Sequence, residues 1–209
     1  MSKKYDPVGT WVYFGLLDLY FGSRNLDNDV FKYGTFFYIM AAEKHLKSVL
    51  IDYEKDTFIA IKNNEQKREK VEKIVKSYSH NFDQMIDRVS SIYKKEMDEI
   101  FIPGNYYGFK SDNLIKAMYE GYMETRYPSV LSTSRHFPVG STKGMFHDPL
   151  GSSFFTDFIE AICRKCWVYL LAKDVITIKI IDDIKGRFSE SYGFKLFESS
   201  YLAKLPCKL

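Results

Sequence analysis

Apolar residues recurring every three or four positions constrain this chain more than any other feature of its sequence. Between Phe82 and Ile100 such residues alternate with polar ones, a spacing that places them on one face of an α-helix. The stretch from Val30 to Asp52 has the same pattern and is expected to pack against at least two neighbours. We therefore expect a mainly helical, all-α chain, with the Phe82–Ile100 helix ended by Pro103 and Gly104.

Further helical stretches lie between candidate caps and breaks. The first is short and buried and ends at the break signals Gly22, Ser23 and Asn25. The second is rich in Lys and Glu, which favours a solvated helix or connector. These two predicted helices are Trp11–Tyr20 and Asn63–Ser77. Two further helices are predicted at Asp112–Arg126 and Phe154–Leu171.

The stretch 128–153 differs in composition from the rest of the chain. It is rich in Ser, Thr, Gly, Pro and His without a clear period, and loops of this length in a compact domain are usually functional or disordered. Stretch 175–184 is ambiguous between strand and helix, and we favour helix. We predict one domain over residues 1–209, with a core at about 11–172 and a C-terminal extension at 173–209.

Composition narrows the classes of partner and compartment. The formal net charge of +3 is too small to indicate nucleic-acid binding by itself. No uncharged segment is long enough to cross a bilayer, and three cysteines do not make a secreted disulfide framework, so a cytoplasmic protein without membrane contact is predicted. Cys163 and Cys166 with His136 and His147 would suffice in number for zinc, but the cysteines have apolar neighbours, and neither metal nor cofactor is expected.

Three local patterns occur in order on successive predicted helices. They are Ala41-Ala42-Glu43-Lys44-His45-Leu46-Lys47, then Ser79-His80-Asn81-Phe82, then Tyr122-Met123-Glu124-Thr125-Arg126-Tyr127-Pro128. Together they resemble the HEPN (higher eukaryotes and prokaryotes nucleotide-binding) superfamily over roughly residues 11–172. The resemblance implies an up-and-down helical bundle, frequently a homodimer, in a family of ribonucleases, toxin or phage-defence components and noncatalytic nucleotide- or RNA-binding members.

The catalytic members of that family carry an Arg followed by a His after four to six intervening residues, and this chain departs from that spacing. Arg126 is separated from His136 by nine residues, and Arg135 is adjacent to His136. We therefore predict a noncatalytic module that binds nucleotide, RNA or a partner protein such as an antitoxin or defence component. Two alternatives stay open: a ribonuclease with a rearranged Arg/His site, and a structural oligomerisation or adaptor domain.

The candidate site combines basic residues from two regions. Arg126, Arg135 and His136 would form a basic edge for phosphate, beside Tyr127, although Arg126 also suits simple capping of a helix C-terminus. In the rearranged nuclease, Arg126 or Arg135 would steady phosphate while His136 or His80 moves a proton. A groove is also predicted where the first long helix faces the start of the second; its residues would be Lys44, Lys47 and His80 unless these are ordinary solvated or backbone-bonded positions.

Overall fold

The computed structural model describes residues 6–27, 31–98, 100, 111–126 and 153–174. Within these ranges every regular element is a helix, which confirms the all-α prediction. A 3-10 turn at Lys55–Thr57 follows the second helix. The α-helices are α1 (Pro7–Asp27), α2 (Phe31–Tyr53), α3 (Asn64–Tyr78), α4 (Phe82–Ile92), α5 (Lys94–Asp98), α6 (Ser111–Arg126) and α7 (Ser153–Ala172).

Helix α2 is the centre of the bundle. It packs against α1, α3, α4, α6 and α7, which confirms the prediction that it has at least two neighbours. Between Ala41 and Asp52 only Lys44 is not buried. The largest fully buried side chains of the core include Trp167, Phe158, Phe155, Ile39 and Leu46. Burial of this apolar surface is the main favourable contribution to folding.

Several polar residues of α2 lie inside the bundle rather than on a solvated face. Glu43, His45, Lys47 and Asp52 are each at most 3% exposed. Burying charged groups is costly unless they are paired and hydrogen-bonded. The partners of Glu43, His45 and Lys47, described below, come from neighbouring turns of α2, from the turn between α3 and α4, and from α7. Asp52 forms ion pairs with Lys55 at 3.3 Å and with Lys173 at 3.8 Å.

Helix α1 is longer than the sequence pattern predicted. The break expected at Gly22, Ser23 and Asn25 is wrong, because α1 continues through these residues to Asp27. A Cβ on Gly22 would lie 2.6 Å from Cδ2 of Tyr38, so this glycine permits close contact between α1 and α2. The Asn25 amide donates to the carbonyl oxygen of Phe21, one turn back in the same helix.

The helix predicted from Phe82 to Ile100 is divided. Helix α4 ends at Ile92, and Tyr93 (φ −133°, ψ 54°) separates it from α5. No glycine or proline marks this break in the sequence. The predicted helices that became α3, α6 and α7 are confirmed within one or two residues of their ends. At the start of α3, the Asn63 side chain accepts hydrogen bonds from the backbone N–H groups of Glu65 and Gln66, as expected for an N-cap.

Among the described helices, none has the length and apolar content needed to cross a bilayer. The predicted long loop at 128–153 and the predicted helix at 175–184 lie outside the described residues, apart from Ser153 at the start of α7.

Candidate functional site

The three sequence patterns meet in space beside the turn between α3 and α4. Ser79 has a φ of 47° and a ψ of −123°, a backbone conformation that is costly for a residue other than glycine and is often found at functional sites. Asn81 then caps α4, accepting a hydrogen bond from the Gln84 N–H at 3.0 Å. His80 therefore lies between Ser79, with its unusual backbone conformation, and Asn81, the N-cap of α4.

Glu43 of α2 connects the patterns. Its carboxylate accepts a hydrogen bond from Nδ1 of His80, with both oxygens 3.1 Å from that nitrogen. Oε1 of Glu43 also accepts from Nζ of Lys47 at 2.5 Å. The Glu43 side chain is only 4% exposed, so it depends on these two donors. The carboxylate oxygens cannot donate when ionised, which places the Nδ1 proton on His80.

Lys47 supports the turn that carries His80. Its ammonium donates to the carbonyl oxygen of Ser79 at 2.6 Å as well as to Glu43. The Lys47 side chain is 4% exposed, and its ammonium lies 5.8 Å from the centre of the Trp11 ring. The prediction that Lys47 lines a ligand groove therefore does not match its placement, because the ammonium is buried and committed to internal partners.

Tyr122 of α6 completes the site. Its hydroxyl lies 2.7 Å from Nε2 of His80, and the two rings stack with centroids 4.1 Å apart at 28°. Phe36 stacks on Tyr122 with a centroid distance of 6.2 Å. Tyr122 is 1% exposed, whereas the His80 side chain is 36% exposed. We call Glu43, Lys47, Ser79, His80 and Tyr122 the His80 cluster.

The hydrogen-bonding of His80 fixes what the ring can do. With the proton on Nδ1, neutral His80 has Nε2 as an acceptor for the Tyr122 hydroxyl. Both ring nitrogens are thus engaged, and the carboxylate of Glu43 is balanced by the ammonium of Lys47. The cluster presents a fixed aromatic ring at the surface with its charges paired beneath it.

Lys44 has a different neighbour from Lys47. It forms an ion pair with Asp18 of α1, and its side chain is 21% exposed. Burial raises the pKa of the Asp18 carboxyl above its usual value, an effect that the Lys44 ammonium partly offsets. This pair joins α1 to α2.

His45 is adjacent to Lys44 in sequence but faces the interior. Its Nδ1 donates to the carbonyl oxygen of Ala41 at 2.6 Å, and its ring meets Trp167 edge to face at a centroid distance of 5.1 Å. Nε2 is buried and has no hydrogen-bond partner among the described residues. Complete burial lowers the pKa of His45 to about 4, so the imidazole is neutral at physiological pH.

The basic edge predicted around Arg126 is described only in part. Arg126 is the last residue of α6, one helical turn after Tyr122. Its backbone is therefore close to the His80 cluster. Tyr127, Arg135 and His136 lie outside the described residues, and so does His147.

The cysteine pair of α7 is part of the core. Cys163 and Cys166 are fully buried, and burial raises the pKa of both thiols. Among the residues that the structure describes, no group of three or more His, Cys, Asp or Glu side chains is arranged to hold a metal ion.

Sequence reasoning missed Glu43 as a site residue. Glu43 stood within the first pattern, but its partner His80 is 37 positions later. The available signal was the i,i+4 spacing of Glu43 and Lys47 on a stretch otherwise rich in apolar residues, because buried charges on one face require partners.

Compared with known proteins, the chain matches no protein-family model, no curated protein and no solved structure.

Proposed function

We propose that this protein is a noncatalytic, HEPN-like helical module that binds RNA or a nucleotide at the surface around the His80 cluster. The observation that supports this proposal is the meeting of three separate sequence patterns in one hydrogen-bonded cluster. Glu43 and Lys47 come from the first pattern, His80 from the second and Tyr122 from the third. Helix packing alone does not require these three segments to share polar contacts.

In this proposal the phosphate contacts come from the edge of the site rather than from the His80 cluster itself. Within the His80 cluster, Glu43 and Lys47 neutralise each other. Helix α6 then ends with Arg126, one turn beyond Tyr122. In this proposal Arg126, Arg135 and His136 contact phosphate groups, Tyr127 lies beside them, and Lys47 positions His80 through Glu43. Lys44 is paired with Asp18 of α1.

The hydrogen bonds of His80 favour binding over cleavage. A metal-independent ribonuclease needs a side chain that exchanges a proton with the reacting ribose or phosphate oxygen. Here Nδ1 is engaged by the buried Glu43 carboxylate and Nε2 by the buried Tyr122 hydroxyl. A rearranged ribonuclease that moved the proton through His80 would have to release one of these contacts, whereas one that used His136 would not.

The experiment is incubation of the purified protein with labelled cellular RNA, scoring retention and cleavage separately. The test variant combines Arg126→Ala, Arg135→Ala and His136→Ala. The control combines Lys73→Ala and Lys76→Ala, which remove two positive charges from exposed positions on α3.

We expect the wild type and the control to retain intact RNA and the test variant to retain less. If two phosphate contacts are lost on single-stranded RNA, the slope of log binding constant against log salt should fall by about 1.4. RNA cleavage by the wild type that the test variant loses would establish a rearranged nuclease instead. Retention of no RNA and no nucleotide would refute the proposed function.

A second candidate function, self-association, is favoured by exposed aromatic residues on the α1–α2 pair. Phe14, Phe21 and Tyr33 are 44–55% exposed, and Phe21 contacts Phe37 with a centroid distance of 5.7 Å. Exposed apolar patches often mark interaction surfaces. We propose that this face joins two copies in a homodimer.

Sedimentation velocity tests this second candidate. Combined Phe14→Ser and Phe21→Ser should shift a dimer to monomer, whereas Tyr119→Ser, at a residue 49% exposed on α6, should leave the dimer intact. A monomeric wild type at all concentrations would rule the dimer out.

A further inference from the structure

We propose that the exposed face of the His80 ring is a stacking platform for an unpaired nucleobase. This inference rests on the proposed function and deepens it, since it names the part of the ligand that the described residues recognise. A phosphate site would need free positive charge, and the His80 cluster has paired charges. What the cluster offers instead is a flat ring.

The first step is that His80 is the outer member of a stack of aromatic rings. Phe36 stacks on Tyr122 at 29° between planes, and Tyr122 stacks on His80 at 28°. Tyr122, the middle ring of the three, is buried, and Phe36 at the other end is half-buried. The side chain of His80 is 36% exposed. A further ring could continue this stack on the outside.

The second step is that hydrogen bonds hold the edge of the His80 ring. Nδ1 contacts the Glu43 carboxylate and Nε2 contacts the Tyr122 hydroxyl. Since one face is covered by Tyr122 and both nitrogens are engaged, we assign the 36% exposure of the side chain to the opposite face and the carbon edge. Such a surface offers van der Waals and π contact.

The third step is that the ring is held in place before any ligand arrives. Lys47 fixes the Ser79 carbonyl oxygen and the Glu43 carboxylate at once, and Asn81 caps the helix that follows. A ligand that stacks on His80 therefore does not have to order the side chain, which reduces the entropic cost of binding. Stacking on aromatic side chains is the common mode of recognising single-stranded nucleic acid without strict sequence preference.

The position of the platform suits a base whose phosphate is contacted from α6. Arg126 ends α6 one turn beyond Tyr122, the residue on which His80 stacks. A nucleotide has its base and its phosphate joined through the sugar, so a base on His80 and a phosphate at the end of α6 could belong to one ligand. RNA strands and free nucleotides share this chemistry.

The test uses the full chain and fluorescence anisotropy with two labelled strands of about ten nucleotides, a typical binding length for one small domain. One strand is unstructured RNA, and the other has the same backbone with abasic sites. Adenosine monophosphate serves as a competitor to separate a free nucleotide from a strand. The variants are His80→Ala, which removes the ring, and His80→Phe, which keeps a flat ring without the nitrogen contacts. Lys76→Ala, at an exposed position on α3, is the control.

We expect wild type and Lys76→Ala to bind the base-containing strand roughly 5- to 150-fold more tightly than the abasic strand, the range measured for stacking of one base. His80→Ala should lose most of that preference, and His80→Phe should keep a large part of it. Competition by the monophosphate at similar concentration would indicate that a single free nucleotide fills the site.

Equal binding of both strands by the wild type would overturn the platform while leaving RNA binding in place. An unchanged preference in His80→Ala would overturn it as well, because another residue would then supply the stacking. Binding of neither strand, nor of the monophosphate, would refute the proposed function and the platform together. Circular dichroism of each variant verifies that the fold is retained, and the wild-type comparison does not depend on any variant.

Discussion

Replacing His45 with a residue that does not titrate should make the free energy of unfolding less sensitive to acid. The ring is fully buried, with Nδ1 bonded to the Ala41 carbonyl oxygen and Nε2 without a partner among the described residues. A second proton on Nε2 would place an unpaired donor and a charge in the core. Burial therefore lowers the pKa of His45 to about 4, from 6.5 in an unfolded chain.

The sign and size of the effect follow from these two values. Between pH 6.5 and 4 the unfolded chain binds a proton at this position and the folded chain does not, so the free energy of unfolding falls as the pH is lowered. The part of the free energy of unfolding that depends on a neutral His45 is fully present above pH 6.5 and is lost by about pH 4. A difference of 2.5 pH units corresponds to about 3 kcal/mol.

Urea unfolding at a series of pH values measures this effect in the wild type, His45→Gln and His45→Leu. At neutral pH each substitution lowers stability, and the two amounts differ. Because neither new side chain titrates, the free energy of unfolding of both variants should depend less on pH than that of the wild type. Asp18, whose raised pKa acts in the opposite direction, is present in all three proteins. The reasoning is refuted if the change in unfolding free energy from pH 6.5 to 4 is the same in all three.

Three further predictions concern packing, capping and thiol access. Gly22→Ala should destabilise the fold by about 1–3 kcal/mol, since its Cβ would lie 2.6 Å from a facing tyrosine ring; an unchanged urea midpoint would contradict the close contact. Asn63→Ala should cost about 1 kcal/mol through loss of the α3 cap, seen as a lower midpoint with the same denaturant slope. In a Cys207→Ser background, Cys163 and Cys166 should react with a thiol reagent only on unfolding, because both are fully buried; rapid labelling of the native protein would show an open core.

Hydrophobic spacing predicts the positions of most described helices. The bounds predicted for α2 and α3 each lie within one residue of those observed. One of the two errors arose where a distant contact decides the outcome. Gly22 is a break signal in isolation but a contact residue opposite Tyr38, and the division at Tyr93 has no local marker.

Some residues of the candidate site could be predicted from the sequence, but the contacts between them could not. His80 and Lys47 were candidates, and their common partner Glu43 was not, because a 37-residue separation hides the contact from any local pattern. The buried state of Lys47 also depends on the packing of α1 and of the Ser79 turn around it. Charge patterns along a helix predict solvation only when the neighbours of that helix are known.

The two glycines of α1 also determine how the first two helices align. Gly15 and Gly22 are seven residues apart, and the rings that they meet, His45 and Tyr38, are seven residues apart on α2. Sliding one helix by a turn would bring larger side chains against both rings at once. The alignment of α1 and α2 is therefore determined by small residues of α1 facing large rings of α2. It does not depend on the connection between the helices. Insertions between α1 and α2 should leave the pairing unchanged, while related sequences should enlarge position 15 or 22 only together with a smaller residue opposite.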